Sequence, residues 1–324
     1  MNKINMAQAI TQALEAEMQA DEKVLVLGED VGLNGGVFRA TDGLQKTFGE
    51  QRVIDTPLAE SGIIGTSVGL SIYGFKPVAE IQFSGFMYPG FNQLVTAAAR
   101  LRNRTRGEFT IPLVVRMPYG GGIRALEHHS ESMEALYAHI PGLKVVIPSS
   151  PKEAYGLLRA AIQDPDPVVF MEPKRIYRAI KEEVKEDQEP IPLGKAKITK
   201  EGDECTVIAY GAMHWVAQKA IAQLGYKYHI ELIDLRTISP LDTETIIKSV
   251  KKTGRCVITH EAPRSYGVAA EIIAQINEKA LYELQAPVER VTGYDTIMPY
   301  YQNETNYIPD EEKIVAAIER VMKE

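Results

Sequence analysis

Short apolar runs alternate with helix-like segments along the chain, and this alternation restricts the fold more than any other feature. The first such unit has apolar side chains at helical spacing over 6–19, followed by the run Val24–Leu27, which ends at Gly28, Glu29 and Asp30. Apolar runs bounded by polar turns are typical of strands buried on both faces. Their alternation with helices predicts a parallel α/β sheet.

The same alternation continues on both sides of a charged, proline-containing stretch, Lys181–Pro192. Before this stretch, further strands are predicted at 77–83, 113–117, 144–147 and 168–171, with helices at 61–73, 90–102 and 151–163. After it, strands are predicted at 206–210, 229–235, 255–259 and 288–291, with helices at 214–224, 242–252 and 266–284. A chain of 324 residues suits two domains. We predict an α/β domain over 1–185, a linker over 186–198 and a smaller α/β domain over 199–324.

Charge and cysteine content exclude several classes of partner. The chain has 36 Lys and Arg against 43 Asp and Glu, a net charge of −7, which argues against binding to nucleic acid. Two cysteines, Cys205 and Cys256, cannot build a Cys-rich metal site, and we expect both in buried strands of a protein kept reduced. We see no secretory signal and no apolar run near the ~18 residues of a membrane span, so we expect a cytoplasmic protein without membrane contact.

Several common catalytic motifs are absent from the sequence. It has no Gly-x-x-x-x-Gly-Lys-Ser/Thr, no Gly-x-Gly-x-x-Gly after a strand and no His-Glu-x-x-His. Gly120–Gly122 follow a predicted strand, but no lysine or hydroxyl follows at the spacing of a phosphate loop. We infer that these glycines give a loop the conformational freedom that it needs.

The segment Asp55–Gly62 leads into a helix of small and apolar residues, which we expect to be buried on all sides. A carboxylate at the entrance of that helix has two explanations. It can simply be favoured by the helix dipole, or it can be an enclosed acid that shares a proton with a ligand nitrogen. The adjacent His128 and His129 cannot point the same way, so at most one faces a pocket, and surface exposure of both is the alternative.

A set of motifs in order along the chain resembles one family. They are Gly28-Glu29-Asp30-Val31, Gly35-Gly36-Val37-Phe38-Arg39, Asp55-Thr56-Pro57-Leu58-Ala59-Glu60, Glu80-Ile81-Gln82-Phe83, His129-Ser130-x-Ser132, Pro141-Gly142-Leu143-Lys144-Val145-Val146 and Asp234-Leu235-Arg236-Thr237. The family is the β subunit of the thiamine-diphosphate-dependent first component of 2-oxo-acid dehydrogenase complexes. The resemblance implies a transketolase-like fold with a pyrimidine-binding domain and a transketolase-type C-terminal domain.

The resemblance also implies partners and cofactors. The expected assembly is an α2β2 heterotetramer in which the α subunit holds Mg²⁺ and the diphosphate of thiamine diphosphate, while the β subunit supplies the pocket for its aminopyrimidine. The Gly-Asp-Gly sequence that begins the magnesium-diphosphate motif is absent here, in agreement with half an active site. A second expected partner is the dihydrolipoyl acyltransferase, through its subunit-binding and lipoyl domains.

By similarity, Glu60 is the carboxylic acid that faces the pyrimidine ring nitrogen. Phe86 packs on that ring, and Leu58 and Gln82 line the same pocket. His129 matches the histidine that assists acyl transfer to the lipoyl arm, and Glu29 matches an acidic residue of a proton tunnel between the two thiamine sites. The family also carries a structural K⁺, whose matching positions here are Leu113, Ala161, Ile162, Asp164 and Asp166.

We therefore predict oxidative decarboxylation of pyruvate with reductive acetylation of lipoyl groups. Glu172-Pro173-Lys174, His260-Glu261-Ala262-Pro263 and Gly293-Tyr294-Asp295-Thr296 also resemble branched-chain members, so a branched-chain 2-oxo acid is the alternative substrate, with acetoin third. Two further hypotheses are a non-catalytic docking scaffold and a self-sufficient transketolase-like enzyme. The presence of Glu60, Phe86 and His129 argues against the first, and the missing Gly-Asp-Gly argues against the second.

Overall fold

The computed structural model describes residues 3–185 and 187–324 and divides into two compact units. The first unit contains the described residues up to Tyr119 together with Leu136–Leu193, and the second contains Gly120–Ala135 and Gly194–Glu324. Met1, Asn2 and Glu186, which fall in the predicted domain and linker ranges, lie outside the described residues. Within the described ranges, no helix is both long and apolar enough to span a membrane.

The first unit is built on a parallel sheet. Its strands are β1 (Lys3–Asn5), β2 (Val24–Gly28), β3 (Val53–Asp55), β4 (Lys76–Glu80), β5 (Val114–Tyr119), β6 (Lys144–Val146), β7 (Val168–Pro173) and β8 (Lys181–Glu183). The order β6-β7-β5-β4-β2-β3 is parallel throughout, whereas β1 and β8 form a separate antiparallel pair. Every residue of β2, β5 and β7 is buried, as expected for strands covered on both faces.

Helices cover this sheet and connect its strands. They are α1 (Met6–Ala20), α2 (Leu44–Phe48), α3 (Glu60–Ile72), α4 (Tyr88–Gln93), α5 (Ala99–Arg104) and α7 (Pro151–Gln163), and α6 (Glu134–Ala138) contains the point where the chain passes between the units. Asn5 begins α1 through a capping box with Gln8. The helices α1 and α7 pack together, and Arg159 of α7 donates to Glu17 of α1 at 2.7 Å.

The helix α3 is not buried on all sides, as its sequence led us to expect. Ile63, Ile64 and Val68 are buried, but Gly62, Thr66, Gly69 and Ile72 are exposed in the single chain. The composition of α3 is apolar and small all round, which is typical of a helix covered on every face. One face of it is therefore available for contact with another molecule.

The second unit has a five-stranded sheet flanked by helices. The strands of this unit are β9 (Lys197–Lys200), β10 (Cys205–Ala209), β11 (Ile230–Asp234), β12 (Thr237–Ser239), β13 (Cys256–Thr259) and β14 (Glu289–Val291), and all of them except β12 belong to the five-stranded sheet. The helices are α8 (Gly211–Leu224), α9 (Thr243–Thr253), α10 (Val268–Ala280), α11 (Glu304–Tyr307) and α12 (Glu311–Val321). The order is β14-β13-β10-β11-β9, with β9 alone antiparallel to its neighbour. The predicted α/β class is confirmed for both units.

The two cysteines lie where the sequence placed them. Cys205 begins β10 and Cys256 begins β13, and both are free and buried. Burial raises the pKa of the Cys205 thiol to about 12 and that of Cys256 well above its ordinary value. Thiols in this condition are unreactive core side chains.

Candidate functional site

Five of the predicted site residues follow neighbouring strands of the first unit. Glu29 follows β2, Leu58 and Glu60 follow β3, and Gln82 and Phe86 follow β4. These three strands are adjacent and parallel, in the order β4-β2-β3. Their carboxyl ends therefore meet at one edge, which is where ligands bind in open α/β sheets. We call this region the carboxyl edge.

Glu60 is the first residue of α3 and is half-buried. The positive end of the helix dipole favours a carboxylate there, so the dipole explanation from the sequence is compatible with the structure. Helix α4 packs closely against this turn, since a methyl group at Gly90 would lie 3.0 Å from the Glu60 main-chain oxygen. Close packing of this kind fixes the position from which the Glu60 side chain extends.

Glu29 lies close enough to Glu60 for the two carboxylates to repel each other. Burial raises the pKa of Glu29 above its ordinary value, and the charges of Asp30 and Glu60 raise it further. Two acidic groups at the same edge, one with a raised pKa, can exchange a proton with a ligand or with each other. The geometry thus brings together the two carboxylates for which the sequence predicted proton chemistry.

Phe86 belongs to an aromatic cluster at the same edge. Its ring centroid lies 5.5 Å from that of Phe83 at an edge-to-face angle, and Phe83 is in turn 5.5 Å from Phe38. Phe38 lies 5.1 Å from Tyr177, which is buried. Phe86 itself is half-buried, so the cluster supports it from behind while part of its surface stays accessible.

Leu58, the fourth predicted pocket residue, is 71 % exposed in the single chain. A large aliphatic side chain at the same edge as a half-buried acid and an aromatic ring is suited to contact with a flat, apolar ligand that carries one basic nitrogen. The chemistry of these side chains therefore fits an aminopyrimidine ring. Glu60, Phe86 and Leu58 are the residues that would hold such a ring.

Asp55 is a residue whose function the sequence analysis did not identify. Its carboxylate accepts hydrogen bonds from the main-chain N–H groups of Gly32 at 2.6 Å and of Leu33 at 3.1 Å. A methyl group at Gly32 would lie 2.6 Å from Asp55 Oδ2, so the loop after β2 needs glycine at this point. Asp55 thus fixes the loop that carries Glu29. Its place in the motif before Glu60 was the available signal.

A buried ionic network beneath the carboxyl edge was also missed. Arg116 of β5 donates to Glu80 of β4 at 2.8 Å and to both oxygens of Glu172 of β7 at 2.7 and 3.1 Å. The Tyr177 hydroxyl donates to Glu172 as well. Burial raises the pKa of Glu80, and the Arg116 charge opposes that shift. The network joins three neighbouring strands and contacts the aromatic cluster through Tyr177. Apolar runs were predicted for these strands.

His129 belongs to the second unit. It ends a 3₁₀ turn, Glu127–His129, in which its main-chain N–H donates to Leu126 at 3.0 Å. His129 is half-buried and His128 is exposed, in agreement with the expectation that at most one of them faces inward. The structure therefore gathers Glu29, Leu58, Glu60, Gln82 and Phe86 in one unit and places His129 in the other.

The residues predicted to hold K⁺ lie at the amino ends of the first-unit strands, opposite the carboxyl edge. Leu113 precedes β5, and Asp164 and Asp166 lie between α7 and β7. Both carboxylates already have cationic partners, because Lys144 contacts Asp164 at 2.6 Å and Arg102 contacts Asp166 at 2.7 Å. The main-chain oxygens of Leu113 and Ala161 accept bonds from Val168 and Asp164. Oxygen donors suit a hard cation, and here main-chain oxygens would have to supply most of them.

Side-chain metal sites were sought across the part of the chain that the structure describes. In those residues, no group of three or more His, Cys, Asp or Glu side chains is arranged to hold a metal ion.

Comparisons with known proteins match both units. The family profile "Transketolase, pyrimidine binding domain" matches residues 2–180, and "Transketolase, C-terminal domain" matches residues 194–314. A solved structure described as "Split gene transketolase, inactive beta4 tetramer" aligns with a TM-score of 0.82 at 21 % identity, covering 99 % of both chains. The identity is low, so this likeness concerns the fold alone, and it confirms the predicted transketolase-like fold.

Full-length relatives are similar over the whole chain. The pyruvate dehydrogenase E1 component subunit beta of Acholeplasma laidlawii is 55 % identical over 321 residues, covering 99 % of this chain and 98 % of that protein. The subunit of the same name from Bacillus subtilis strain 168 is 49 % identical over 324 residues, covering all of both chains. The one from Staphylococcus epidermidis is 49 % identical over 316 residues, covering 97 % of both chains.

Proposed function

Because this chain belongs to the family of pyruvate dehydrogenase E1 component β subunits, we propose that it forms the pyrimidine half of a thiamine-diphosphate site. With an α subunit it catalyses the oxidative decarboxylation of pyruvate. The acetyl group passes to the lipoyl arm of a dihydrolipoyl acyltransferase, so pyruvate and oxidised lipoamide give carbon dioxide and S-acetyldihydrolipoamide. The enzyme acts in the cytoplasm.

The observation that carries this proposal is the arrangement at the carboxyl edge. Glu60 lies at the start of α3, close to Glu29, and Phe86 and Leu58 present an aromatic and an aliphatic surface at the same edge. A carboxylic acid beside such surfaces can hold a proton against a ring nitrogen while water is excluded from the ring faces. Glu29 is the residue that relays protons toward the second site of the tetramer.

Thiamine diphosphate, when bound, supplies the nucleophilic carbon and the electron sink that decarboxylation of a 2-oxo acid requires. Glu60 holds the proton at the pyrimidine nitrogen, Phe86 and Leu58 orient the ring, and Gln82 contributes a polar contact to it. His129 holds a proton for the lipoyl sulfur during acyl transfer. The α subunit supplies the ligands of Mg²⁺ and the diphosphate.

The proposed assembly is an α2β2 heterotetramer that docks on the acyltransferase. The exposed face of α3, with Gly62, Thr66 and Ile72, and the exposed Leu58 support a partner on this side of the first unit. A K⁺ ion bound near Leu113, Ala161, Ile162, Asp164 and Asp166 stabilises the opposite end of the same unit. The predicted domain limits, 1–185 and 199–324 with a linker at 186–198, remain predictions.

A reconstitution experiment tests the function. The chain is co-expressed with its α subunit, supplied with thiamine diphosphate and Mg²⁺, and assayed with pyruvate, 3-methyl-2-oxobutanoate and acetoin at equal concentrations. We expect the highest kcat/KM with pyruvate. A preference for 3-methyl-2-oxobutanoate would assign the chain to branched-chain substrates, and turnover of acetoin alone would assign it to acetoin cleavage.

The isolated chain is the matched control for the reconstituted tetramer. Because the magnesium and diphosphate ligands are assigned to the α subunit, we expect weak binding of thiamine diphosphate by the isolated chain and no turnover. Tight binding and turnover by the isolated chain would instead identify a self-sufficient transketolase-like enzyme. A well-folded tetramer that binds acyltransferase but neither cofactor nor substrate would identify a docking scaffold.

A further inference from the structure

The segment Gly120–Ala135, which carries His129, is attached to the second unit at its beginning by two buried carboxylates. The main-chain N–H of Gly121 donates to Glu261 Oε2 at 2.9 Å, and that of Gly122 donates to Glu304 Oε1. Glu261 is only 5 % exposed and Glu304 only 2 %. Charge-assisted hydrogen bonds to main-chain N–H groups in such a buried site are strong and specific in direction.

The glycines and the carboxylates depend on each other. A methyl group at Gly120 would lie 2.7 Å from Glu261 Oε2, and one at Gly121 would lie 2.8 Å from Glu304 Oε1. Gly120 also has φ = +78°, a conformation that side chains disfavour. The conformational freedom that the sequence suggested for these glycines is used at Gly120, and the absence of side chains also lets the two acids approach the main chain closely.

The end of the segment has an anchor of its own. The Tyr210 hydroxyl donates to Glu134 Oε1 at 2.7 Å, and Glu134 is fully buried. Tyr210 directly follows β10, so this bond joins the segment to the central strand of the second-unit sheet. The main-chain N–H of Gly120 also donates to the oxygen of Glu131 at 2.9 Å, which draws the beginning and end of the segment together.

The two anchors occupy one buried polar region of the second unit. Burial raises the pKa of Tyr307 to about 12, and the charges of Glu134 and Glu261 contribute to this shift, so the three side chains are neighbours. Between the anchors, the ring of Tyr301 lies 5.3 Å from the Arg124 guanidinium carbon. His129 thus projects from a segment held at both ends, and none of the carboxylates that hold it has a part in the proposed chemistry.

We propose that Glu261, Glu304 and Glu134 are positioning residues that fix the main chain from which His129 extends. The proposal rests on the proposed function, in which His129 assists acyl transfer to the lipoyl arm. Displacement of a reacting group by about 1 Å can reduce a rate on the order of a hundredfold, so the attachment of the segment controls this step. Decarboxylation uses Glu60 in the first unit and does not need this attachment.

The test compares two activities of the same α2β2 tetramer. One is decarboxylation of pyruvate with 2,6-dichlorophenolindophenol as electron acceptor, and the other is reductive acetylation of a free lipoyl domain. For Glu261→Ala and Glu304→Ala we expect acetylation to fall about ten- to a hundredfold relative to decarboxylation. His129→Ala should show the same split, and Glu261→Gln and Glu304→Gln should restore most of the ratio, because the amide oxygen still accepts the N–H.

Tyr210→Phe tests the second anchor with little risk to folding, because it removes only the hydroxyl that donates to Glu134. We expect reductive acetylation to fall relative to decarboxylation here too, by a smaller factor than in the alanine variants. The matched control is Glu231→Ala, which removes another buried carboxylate of the second unit, bound to Gly202 and Lys252 away from the segment. Its ratio of the two activities should equal that of the wild type.

Equal losses of both activities in the alanine variants and an unchanged ratio in Tyr210→Phe would overturn the positioning proposal. Failure of the proposed function is recognised separately, because the wild-type tetramer would then decarboxylate no pyruvate. If the alanine variants do not assemble, the ratio of Tyr210→Phe decides the question. A ratio below that of the wild type in Tyr210→Phe supports the proposal, and an unchanged ratio contradicts it.

Discussion

Glu134 and Glu80 are both buried carboxyl groups, but their surroundings differ. Glu80 has Arg116 as a partner at 2.8 Å, whereas Glu134 accepts a bond from the neutral Tyr210 hydroxyl. Burial raises the pKa of Glu134 to about 7, and the nearby Glu261 adds to the shift. A buried carboxyl group without a cationic partner therefore keeps its proton to a higher pH than a carboxyl group in solution.

The raised pKa of Glu134 predicts a decrease in stability with increasing pH. The folded state binds this proton more tightly than the unfolded state, so the contribution is fully present below about pH 4.5 and is lost as pH rises through about 7. We expect the free energy of unfolding of the wild type, relative to Glu134→Gln, to fall by at most about 3 kcal/mol between pH 5 and pH 8. Urea titrations of both proteins at each pH measure this difference, and a constant difference would contradict the assignment.

At the scale of single residues, the sequence predicted acids and a ring for the carboxyl edge but did not predict the groups that support them. Glu29 and Glu60 lie within recognisable motifs and Phe86 lies three residues after one, so all three could be predicted from the sequence. Asp55 lies in one of the same motifs, yet its function is to accept two main-chain N–H groups from another loop, which no local pattern reveals. The same holds for Glu261, which lies 140 positions from the glycine that it binds.

At the scale of strands and helices, apolar runs predicted the buried strands and missed the polar ones. The run at 113–117 corresponds to β5, although Arg116 lies within it, fully buried against two acids. The strands β8 and β9 are rich in Lys and Glu and fall within or next to the stretch predicted as a linker, because edge strands need no apolar alternation. The antiparallel pair β1–β8 was therefore not foreseen.

The ionic network of β4, β5 and β7 gives a prediction at this scale. Arg116→Met leaves Glu80 and Glu172 buried without their cation, which should lower the free energy of unfolding by about 3–5 kcal/mol. The control is Arg102→Met, which breaks the half-exposed pair with Asp166 and should cost less than about 1 kcal/mol. Chemical unfolding of the wild type and of both variants measures these two losses. Equal losses in both variants would show that the network does not hold the strands together.

At the scale of the whole molecule, the single chain leaves apolar surface exposed around its candidate site. Leu33 is 87 % exposed and Leu58 71 %, and these residues lie in the loops after β2 and β3. Scattered exposed side chains are common, but a concentration beside a candidate active site is typical of an interface. An α subunit on this side would cover the surface and complete the site.

Hydrogen–deuterium exchange measures that interface directly. On addition of the α subunit, we expect slower amide exchange in residues 32–39 and 57–73, because water is excluded from their main chain. Residues 213–224 of α8 in the second unit provide an internal reference. Unchanged exchange in both first-unit segments, in a sample that has formed the heterotetramer, would place the partner elsewhere.

The central claim is that Glu60 holds the proton that activates the cofactor. Its most direct test is the rate at which the thiazolium carbon of bound thiamine diphosphate exchanges its proton for deuterium, measured by NMR in wild-type, Glu60→Gln and Glu50→Gln heterotetramers. Glu50 is an exposed acid away from the carboxyl edge, so Glu50→Gln is a control that makes the same chemical change elsewhere in the chain. We predict a fall on the order of a hundredfold or more for Glu60→Gln, with cofactor still bound, and none for Glu50→Gln. A wild-type exchange rate in the Glu60→Gln tetramer would contradict the account.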